Sequence, residues 1–129
     1  MIDQIVLYLT SIILGMMIFF SFVVAPITFK LLDEENSRKF VRGIFPFYYL
    51  VNLIVSFIAC ALLVYLGDIS INFYLMVSVC ILFAISKLIL MPLINKLKDA
   101  GKEKSFKIYH FISVLINFVQ MIFLILILA

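Results

Sequence analysis

Four long apolar stretches, separated by short polar segments, dominate the pattern of this sequence. They cover residues 4–29, 44–66, 72–94 and 108–128, and charged side chains are nearly absent from them. Each has about 20 or more residues, which as an α-helix crosses the roughly 30 Å hydrocarbon core of a bilayer. The alternating polar residues that a membrane β-strand needs are missing. The pattern predicts an all-α membrane protein, with residues 1–129 forming a single bundle of four transmembrane helices.

Composition supports the membrane assignment. Of the 129 residues, 67% are hydrophobic and 13% are charged. A soluble domain of this size keeps much of its surface in water and could not bury so much apolar area. The first stretch is expected to be a retained helix, because Met1-Ile2-Asp3 lacks the basic start of a signal peptide and the apolar run is too long for one.

Basic residues are distributed unequally between the connections. All ten Lys and Arg lie in or beside the first and third connections, and the N-terminus, the second connection and the C-terminal end carry none. Because cytoplasmic segments are enriched in Lys and Arg, we expect a plasma membrane protein with both termini outside (N-out/C-out). The net charge of +3 follows from this asymmetry, so nucleic acid is not an expected partner. The expected partners are the bilayer itself and anionic headgroups at the cytoplasmic connections.

A polar stripe runs along the fourth apolar stretch. At about 100° per residue, His110, Ser113, Asn117 and Gln120 fall on one side of a helix whose other sides are apolar. Such a stripe is expected to face protein or trapped water, while the apolar sides face lipid.

Polar residues of two other stretches lie near the depth of this stripe. They are Tyr48 and Asn52 in the second stretch and Lys87 in the third. Polar groups at that depth need a protein partner or a hydrated pocket. We hypothesise that they converge with the stripe residues His110, Ser113, Asn117 and Gln120 in one pocket open to the cytoplasm, where Lys87 and His110 favour an anionic or polar ligand. The alternative is a set of separate helix-to-helix bonds without a pocket, with Lys87 extending towards the headgroups.

The polar residues provide no recognisable catalytic or metal-binding set. There is one His, the two Cys lie in apolar stretches without ligand spacing, and no Asp or Glu lies inside a stretch beyond its ends. We therefore expect no enzyme activity, no metal and no cofactor. A weaker alternative is haem or copper bound by His110, alone or with a Met or Cys sulfur.

Three prolines lie near the cytoplasmic ends of the stretches. Pro26 is expected to kink or end the first helix, Pro46 to lie in the first turn of the second, and Pro92 to help end the third. The charged segment 30–43, in which acidic residues precede basic ones, is expected to form a short surface helix or a solvated connection.

Short motifs resemble the transmembrane protein 205-like family. They are Phe45-Pro46-Phe47-Tyr48 and Tyr109-His110-x-x-Ser113-x-x-x-Asn117, with Pro92 between them and Ala25-Pro26 at the end of the first stretch. The resemblance implies a four-helix membrane domain, of which the bacterial members are a domain of unknown function. The positions that carry it are Pro26, Phe45, Pro46, Tyr48, Pro92, His110 and Asn117. Where the family has an Asn two turns before the third-helix proline, this chain has Ser86.

Two functions remain open from the sequence. The first is a small transport or channel-like unit with a polar pocket near the cytoplasmic side, acting as a homo-oligomer. The second is a membrane scaffold, or a subunit that binds a partner membrane protein, in which the polar residues only fix helix packing. Water beside His110 and Asn117 is expected of the first, and a dry, bonded core of the second.

Overall fold

The computed structural model describes residues 1–129 as four long helices without strands. The helices are α1 (Ile2–Leu31), α2 (Glu34–Leu66), α3 (Ile71–Asp99) and α4 (Glu103–Leu128). Each is long and apolar enough to cross a membrane. The predicted all-α fold with four membrane-spanning helices is confirmed, and the chain is a multi-pass membrane protein.

The helices pack around a square in chain order. Helix α1 packs against α2 and α4, α3 packs against the same two, and no Cα atoms of the diagonal pairs come within 8 Å of each other. Since successive helices run in opposite directions, the turns at 32–33 and 100–102 lie at one end of the bundle. All ten Lys and Arg lie towards this end, which we call the basic end. Both termini and the turn at 67–70 lie at the other, the terminal end.

The tightly packed core occupies the terminal end and the middle of the bundle. Each helix contributes one stripe of buried residues, which apart from the adjacent Gln120 and Met121 are spaced three or four apart, as neighbouring positions on a helix face are. The stripes are Val6, Thr10, Ile13 and Met17 on α1; Tyr48, Asn52, Ser56, Ala59 and Leu63 on α2; Met76, Val79, Phe83, Ser86 and Leu90 on α3; and Gln120, Met121, Leu124 and Ile127 on α4. Helix α4 has no buried residue before Gln120, so its first four turns lie outside this core.

Helix α2 begins at the basic end and continues into the core without a break. The Asp33 carboxylate caps it by accepting from the Asn36 backbone N–H at 2.8 Å. The Ser37 hydroxyl lies 3.2 Å from the carbonyl oxygens of both Thr28 and Leu32 and fixes the turn from α1. The surface helix expected at 30–43 is therefore not a separate element. Its acidic start and basic continuation form the first turns of α2.

All three prolines lie within helices. Pro26 was expected to kink or end the first helix, and it does not end it; the expectations that Pro46 lies in a first turn and that Pro92 helps end its helix are wrong. Helix α1 continues past Pro26 to Leu31, α3 continues past Pro92 to Asp99, and Pro46 lies inside α2, well beyond its first turn.

Two π-helical segments explain how α1 and α3 pass their prolines. The segments are Phe20–Val24 and Ser86–Leu90. A proline ring clashes with the carbonyl four residues earlier, which belongs to Phe22 for Pro26 and to Leu88 for Pro92. Both residues lie in the middle of a π-helical segment, so the wider turn relieves the clash. In α1, the Thr28 hydroxyl also donates to the Val24 carbonyl oxygen at 2.6 Å, which satisfies one acceptor of the widened turn.

Candidate ligand cavity

Helix α1 diverges from α4 over its last twelve residues. Residues 2–19 pack against α4, but no Cα atom of residues 20–31 comes within 8 Å of it. Two side-chain contacts span the gap. The Asn117 amide nitrogen donates to the Ser21 hydroxyl at 2.7 Å, and the Phe22 and Phe118 rings lie 6.2 Å apart, edge to face. The divergence begins at the π-helical segment before Pro26.

A cavity of about 410 Å³ fills the space that this divergence leaves, and we call it the inner cavity. All four helices line it. Its wall is mainly apolar and aromatic, with the hydroxyl or amide groups of Ser21, Tyr48, Ser113 and Asn117 among the lining residues. Towards the terminal end, Met17 and Phe83 are fully buried, so the tightly packed core closes the cavity on that side. Its volume lies within the range of about 300–1,000 Å³ that is usual for ligand pockets.

A second cavity, of about 360 Å³, continues the first towards the basic end, and we call it the mouth. The two share part of their walls, formed by Phe29, Val41, Arg42, Ile94, Asn95 and His110. The mouth adds the charged residues Glu34, Arg38 and Lys98. A continuous cleft therefore leads from charged side chains at the basic end to an apolar chamber in the bundle.

Asn117 connects three helices at the inner cavity. Besides donating to Ser21 of α1, its side-chain oxygen accepts from the Tyr48 hydroxyl of α2 at 3.2 Å. The second bond joins diagonal helices, whose backbones do not touch. Tyr48 itself packs at 4.9 Å from the Phe20 ring and 5.6 Å from the Phe45 ring. Asn117 and Tyr48 thus hold the wall of the cavity on α4, α1 and α2 together.

His110 lies where the inner cavity meets the mouth and is exposed. Its ring stacks on Phe106 with centroids 5.8 Å apart, and the Lys98 ammonium lies 4.9 Å from the centre of the same Phe106 ring. The Ser113 hydroxyl donates to the His110 carbonyl oxygen at 2.6 Å, so that hydroxyl bonds within its own helix. His110 is the member of the predicted stripe nearest to the charged mouth.

One ion pair at the mouth is fixed and two are loose. The Arg42 guanidinium binds both carboxylate oxygens of Asp99, at 2.7 and 3.1 Å, and also donates to the Asn95 carbonyl oxygen at 3.3 Å. This bidentate pair joins α2 to the end of α3. The other two pairs, Arg38 with Glu34 and Lys98 with Glu103, are single contacts at 3.5 Å.

The predicted site residues fall into two groups. Tyr48, His110, Ser113 and Asn117 line the inner cavity, and of the predicted motif residues Pro26 and Phe45 line it as well. Neither cavity is lined by Asn52, Lys87, Gln120, Pro46 or Pro92.

The predicted polar residues that do not line these two cavities bond elsewhere or lie half-buried on their helix. Gln120 is buried, and its side-chain nitrogen donates to the Val79 carbonyl oxygen of α3 at 3.0 Å. Asn52 does not bond to another helix as expected, because its nitrogen donates to the Tyr48 carbonyl oxygen of its own helix at 2.9 Å. Its buried side-chain oxygen has no partner. Lys87 is half-buried on α3.

Two residues of the site, Ser21 and Arg42, were not predicted from the sequence. Ser21 shares a side of α1 with Thr10 and Thr28, and this polar side was the available signal. Thr10 and Thr28 bond to their own helix, whereas Ser21 accepts from Asn117. Nothing in the local sequence indicates that Arg42 binds Asp99, which lies 57 positions away.

Comparison with known proteins places the chain in a family. A family described as a domain of unknown function, DUF4149, matches residues 8–103. The chain belongs to the DUF4149 family. It is also similar to an uncharacterized protein of Aquifex aeolicus (strain VF5), with 32% identity over 117 residues that cover 89% of this chain and 85% of the relative. No solved structure matches.

The DUF4149 match bears on the family expected from the motifs. The resemblance implied a membrane domain of unknown function, and the match to DUF4149 confirms this. The matched region contains α2 and α3 in full, together with most of α1. It ends at residue 103, before Tyr109, His110 and Asn117, so the narrower likeness to transmembrane protein 205-like proteins stays a proposal.

Proposed function

We propose that this DUF4149 protein is a small ligand-handling unit of the plasma membrane, which takes a ligand from the cytoplasmic side into the inner cavity. The observation that carries the proposal is the divergence of α1 from α4, which leaves a cavity lined by all four helices beside a charged mouth. Ligand sites in helical membrane proteins are built in this way, between helices and around a few polar groups on an apolar wall. Catalysis is not part of the proposal.

The closed side of the cavity favours binding or carrier-like transport over a continuous pore in one copy of the chain. Met17, Phe83, Asn52 and Gln120 are all less than 2% exposed, and they lie between the inner cavity and the terminal end. For a ligand to cross the membrane, these side chains would have to move, or a second copy of the chain would have to form part of the path. Assembly as a homo-oligomer, or with a partner membrane protein, belongs to the same proposal.

A matched pair of substitutions tests occupancy of the cavity. Val114 lines the inner cavity, and its neighbour Leu115 is exposed and does not. Native mass spectrometry of the purified protein in mild detergent should show retained ligand adducts, most of which Val114→Trp removes and Leu115→Trp keeps. Equal adducts in both variants would contradict the proposal.

The scaffold function remains a second candidate because of one observation. The side chains of Asn117, Tyr48, Ser21 and Gln120 all bond between helices, as packing contacts would. A protein that acts only as a scaffold should keep binding its partner when the Val114→Trp side chain fills the inner cavity. Co-purification of a partner that survives Val114→Trp, with no ligand adduct in the wild type, would favour it.

Haem or copper binding is the weakest of the proposals. Among the sulfur-containing residues, Met91 lines the same cavity as His110, while Met17 and Met76 are buried in the core. Visible absorbance and metal content of the purified protein test it, because bound haem or copper would appear in these measurements and disappear in His110→Ala.

The likeness to transmembrane protein 205-like proteins is proposed on the positions that line the cavity. Pro26, Phe45, Tyr48, His110 and Asn117 carry the motifs and belong to one wall. If the likeness is real, the corresponding residues of such a protein should line a cavity between its first and fourth helices, and a structure of one would test this.

A further inference from the structure

The mouth has an excess of cationic side chains among its lining residues. Arg38, Arg42 and Lys98 line it, and Glu34 is the one carboxylate among them. The acidic partners of Arg42 and Lys98, namely Asp99 and Glu103, are not part of the lining. An anion in the mouth would therefore meet mainly positive charge.

Two of these cations are available to a ligand. Arg42 is held by two bonds to Asp99 and one to Asn95. Arg38 and Lys98 each form one ion pair, at 3.5 Å, and their partners Glu34 and Glu103 are 82% and 61% exposed. Such exposed pairs contribute little to stability, so a phosphate that forms shorter charge-assisted bonds can replace them.

The inner cavity is suited to an apolar chain. Phe20, Phe29, Val114 and Phe118 are among its lining residues, and the last three are at least 36% exposed in the isolated chain. The gap between α1 and α4 faces outward from the bundle at the same level, which lies within the hydrophobic span of both helices. A soluble anion would occupy the mouth and leave this apolar surface uncovered, whereas a lipid covers both regions.

We infer that the ligand is an anionic phospholipid of the cytoplasmic leaflet, with its phosphate between Arg38 and Lys98 and an acyl chain in the inner cavity. This inference names the ligand class of the proposed function and rests on it. The bonds between Arg42 and Asp99 join α2, which carries Arg38, to the end of α3, which carries Lys98. Phe106, beneath the Lys98 ammonium, holds that side chain over the cavity.

The test compares two lipids with identical acyl chains, phosphatidylglycerol and phosphatidylcholine, added in equal amounts to delipidated protein and measured by native mass spectrometry. The wild type should retain phosphatidylglycerol preferentially. Arg38→Gln combined with Lys98→Gln should lower that preference roughly tenfold, since each basic residue near a headgroup favours an anionic lipid severalfold. Arg38→Lys combined with Lys98→Arg keeps both charges and should keep the preference.

Lys39→Gln combined with Lys102→Gln is the matched control. It removes the same charge from the same end of the bundle, and Lys39 has an equivalent 3.5 Å pair with Glu35, but neither residue lines the inner cavity or the mouth. An equal loss of preference in this control would overturn the inference, because general attraction to the basic end would then explain it.

Other outcomes separate the inference from the proposed function. If the wild type binds both lipids equally and Val114→Trp displaces both, the proposed function stands and the anionic lipid is wrong. If no adduct depends on Val114, both fail. If inorganic phosphate displaces phosphatidylglycerol and binds on its own, the ligand is a soluble anion and the lipid assignment is overturned.

Discussion

At the scale of single residues, two asparagines within the membrane-spanning helices, the half-buried Asn117 and the buried Asn52, have opposite roles. Asn117 bonds to Ser21 of α1 and Tyr48 of α2, whereas Asn52 bonds to its own helix and leaves one buried oxygen without a partner. A polar atom without a partner in a buried site costs stability, and a bonded one contributes modestly. The two residues therefore provide a direct comparison of chemically identical side chains in one bundle.

Replacing each asparagine by leucine, which has a similar size, should separate these roles. Asn117→Leu removes both interhelical bonds and should lower the free energy of unfolding by about 1 kcal/mol. Asn52→Leu removes the unpartnered oxygen and should be neutral or stabilising. Equilibrium unfolding in mixed micelles measures both. A larger loss for Asn52→Leu than for Asn117→Leu would contradict the hydrogen bonding of the two asparagines.

The ion pair between Arg42 and Asp99 should contribute more than the other pairs at the basic end. Its two short bonds and the partial burial of Arg42 favour a coupling energy of about 1 kcal/mol in a double-mutant cycle with Gln and Asn. The exposed pair of Glu35 and Lys39, one turn apart on α2, should give about 0.3 kcal/mol. Equal coupling energies in the two cycles would contradict a fixed contact between α2 and α3.

These residues also show what could be predicted from the sequence. The period of a helix is enough to place His110, Ser113 and Asn117 on one face, and the cavity borders that face. Which residue of another helix faces this stripe depends on how far that helix is rotated about its axis and shifted along it. No local sequence pattern encodes either quantity. Lys87 and Asn52 were expected at the pocket for their depth alone, and depth does not determine which way a side chain points.

At the scale of elements, α1 and α3 pass their prolines in the same way but with different results. Both contain a five-residue π-helical segment that precedes the proline by two positions. Beyond it, α3 remains packed against α4, while α1 does not. The sequence indicated the two prolines, but it did not indicate that α1 continues to Leu31 and α3 to Asp99, because the wide turns that accommodate the prolines are a property of the backbone geometry. The divergence of α1 is therefore the element-level feature that creates the cavity.

Removing Pro26 should bring the end of α1 closer to α4. Pro26→Ala restores a backbone donor and removes the ring that would clash with the Phe22 carbonyl in a regular helix, so the wide turn is no longer needed. With Cys60 and Cys80 replaced by Ala, spin labels at the exposed positions Ile27 and Phe111 report the separation of the two helices.

The label distance should shorten in Pro26→Ala. Pro92→Ala is the control and should leave the distance unchanged, because α3 lies against α4 on both sides of its π-helical segment. An unchanged distance in Pro26→Ala, or the same shift in both variants, would argue against Pro26 as the cause of the divergence.

At the scale of the whole molecule, one asymmetry organises the bundle. The packed core lies towards the terminal end, while the ten basic residues and the cavity lie towards the basic end. If the basic end faces the cytoplasm, the mouth is at the level of the inner-leaflet headgroups. The orientation of the bundle in the membrane therefore determines from which leaflet and which compartment a ligand can enter the cavity.

Reporter fusions measure this orientation. Alkaline phosphatase, which is active only outside the cytoplasm, should be active when fused to the C-terminus, and green fluorescent protein, which fluoresces only inside it, should be dark there. Both should give the opposite result when inserted at Gly101, in the turn between α3 and α4. A fluorescent C-terminal fusion would place the mouth on the outer side.

An experimental structure in nanodiscs that contain phosphatidylglycerol tests the central claim most directly. We expect elongated density that begins between Arg38 and Lys98, passes His110 and ends beside Asn117, with α1 apart from α4 beyond residue 20. A closed interface, in which residues 20–31 pack against α4 and no cavity remains, would contradict the account.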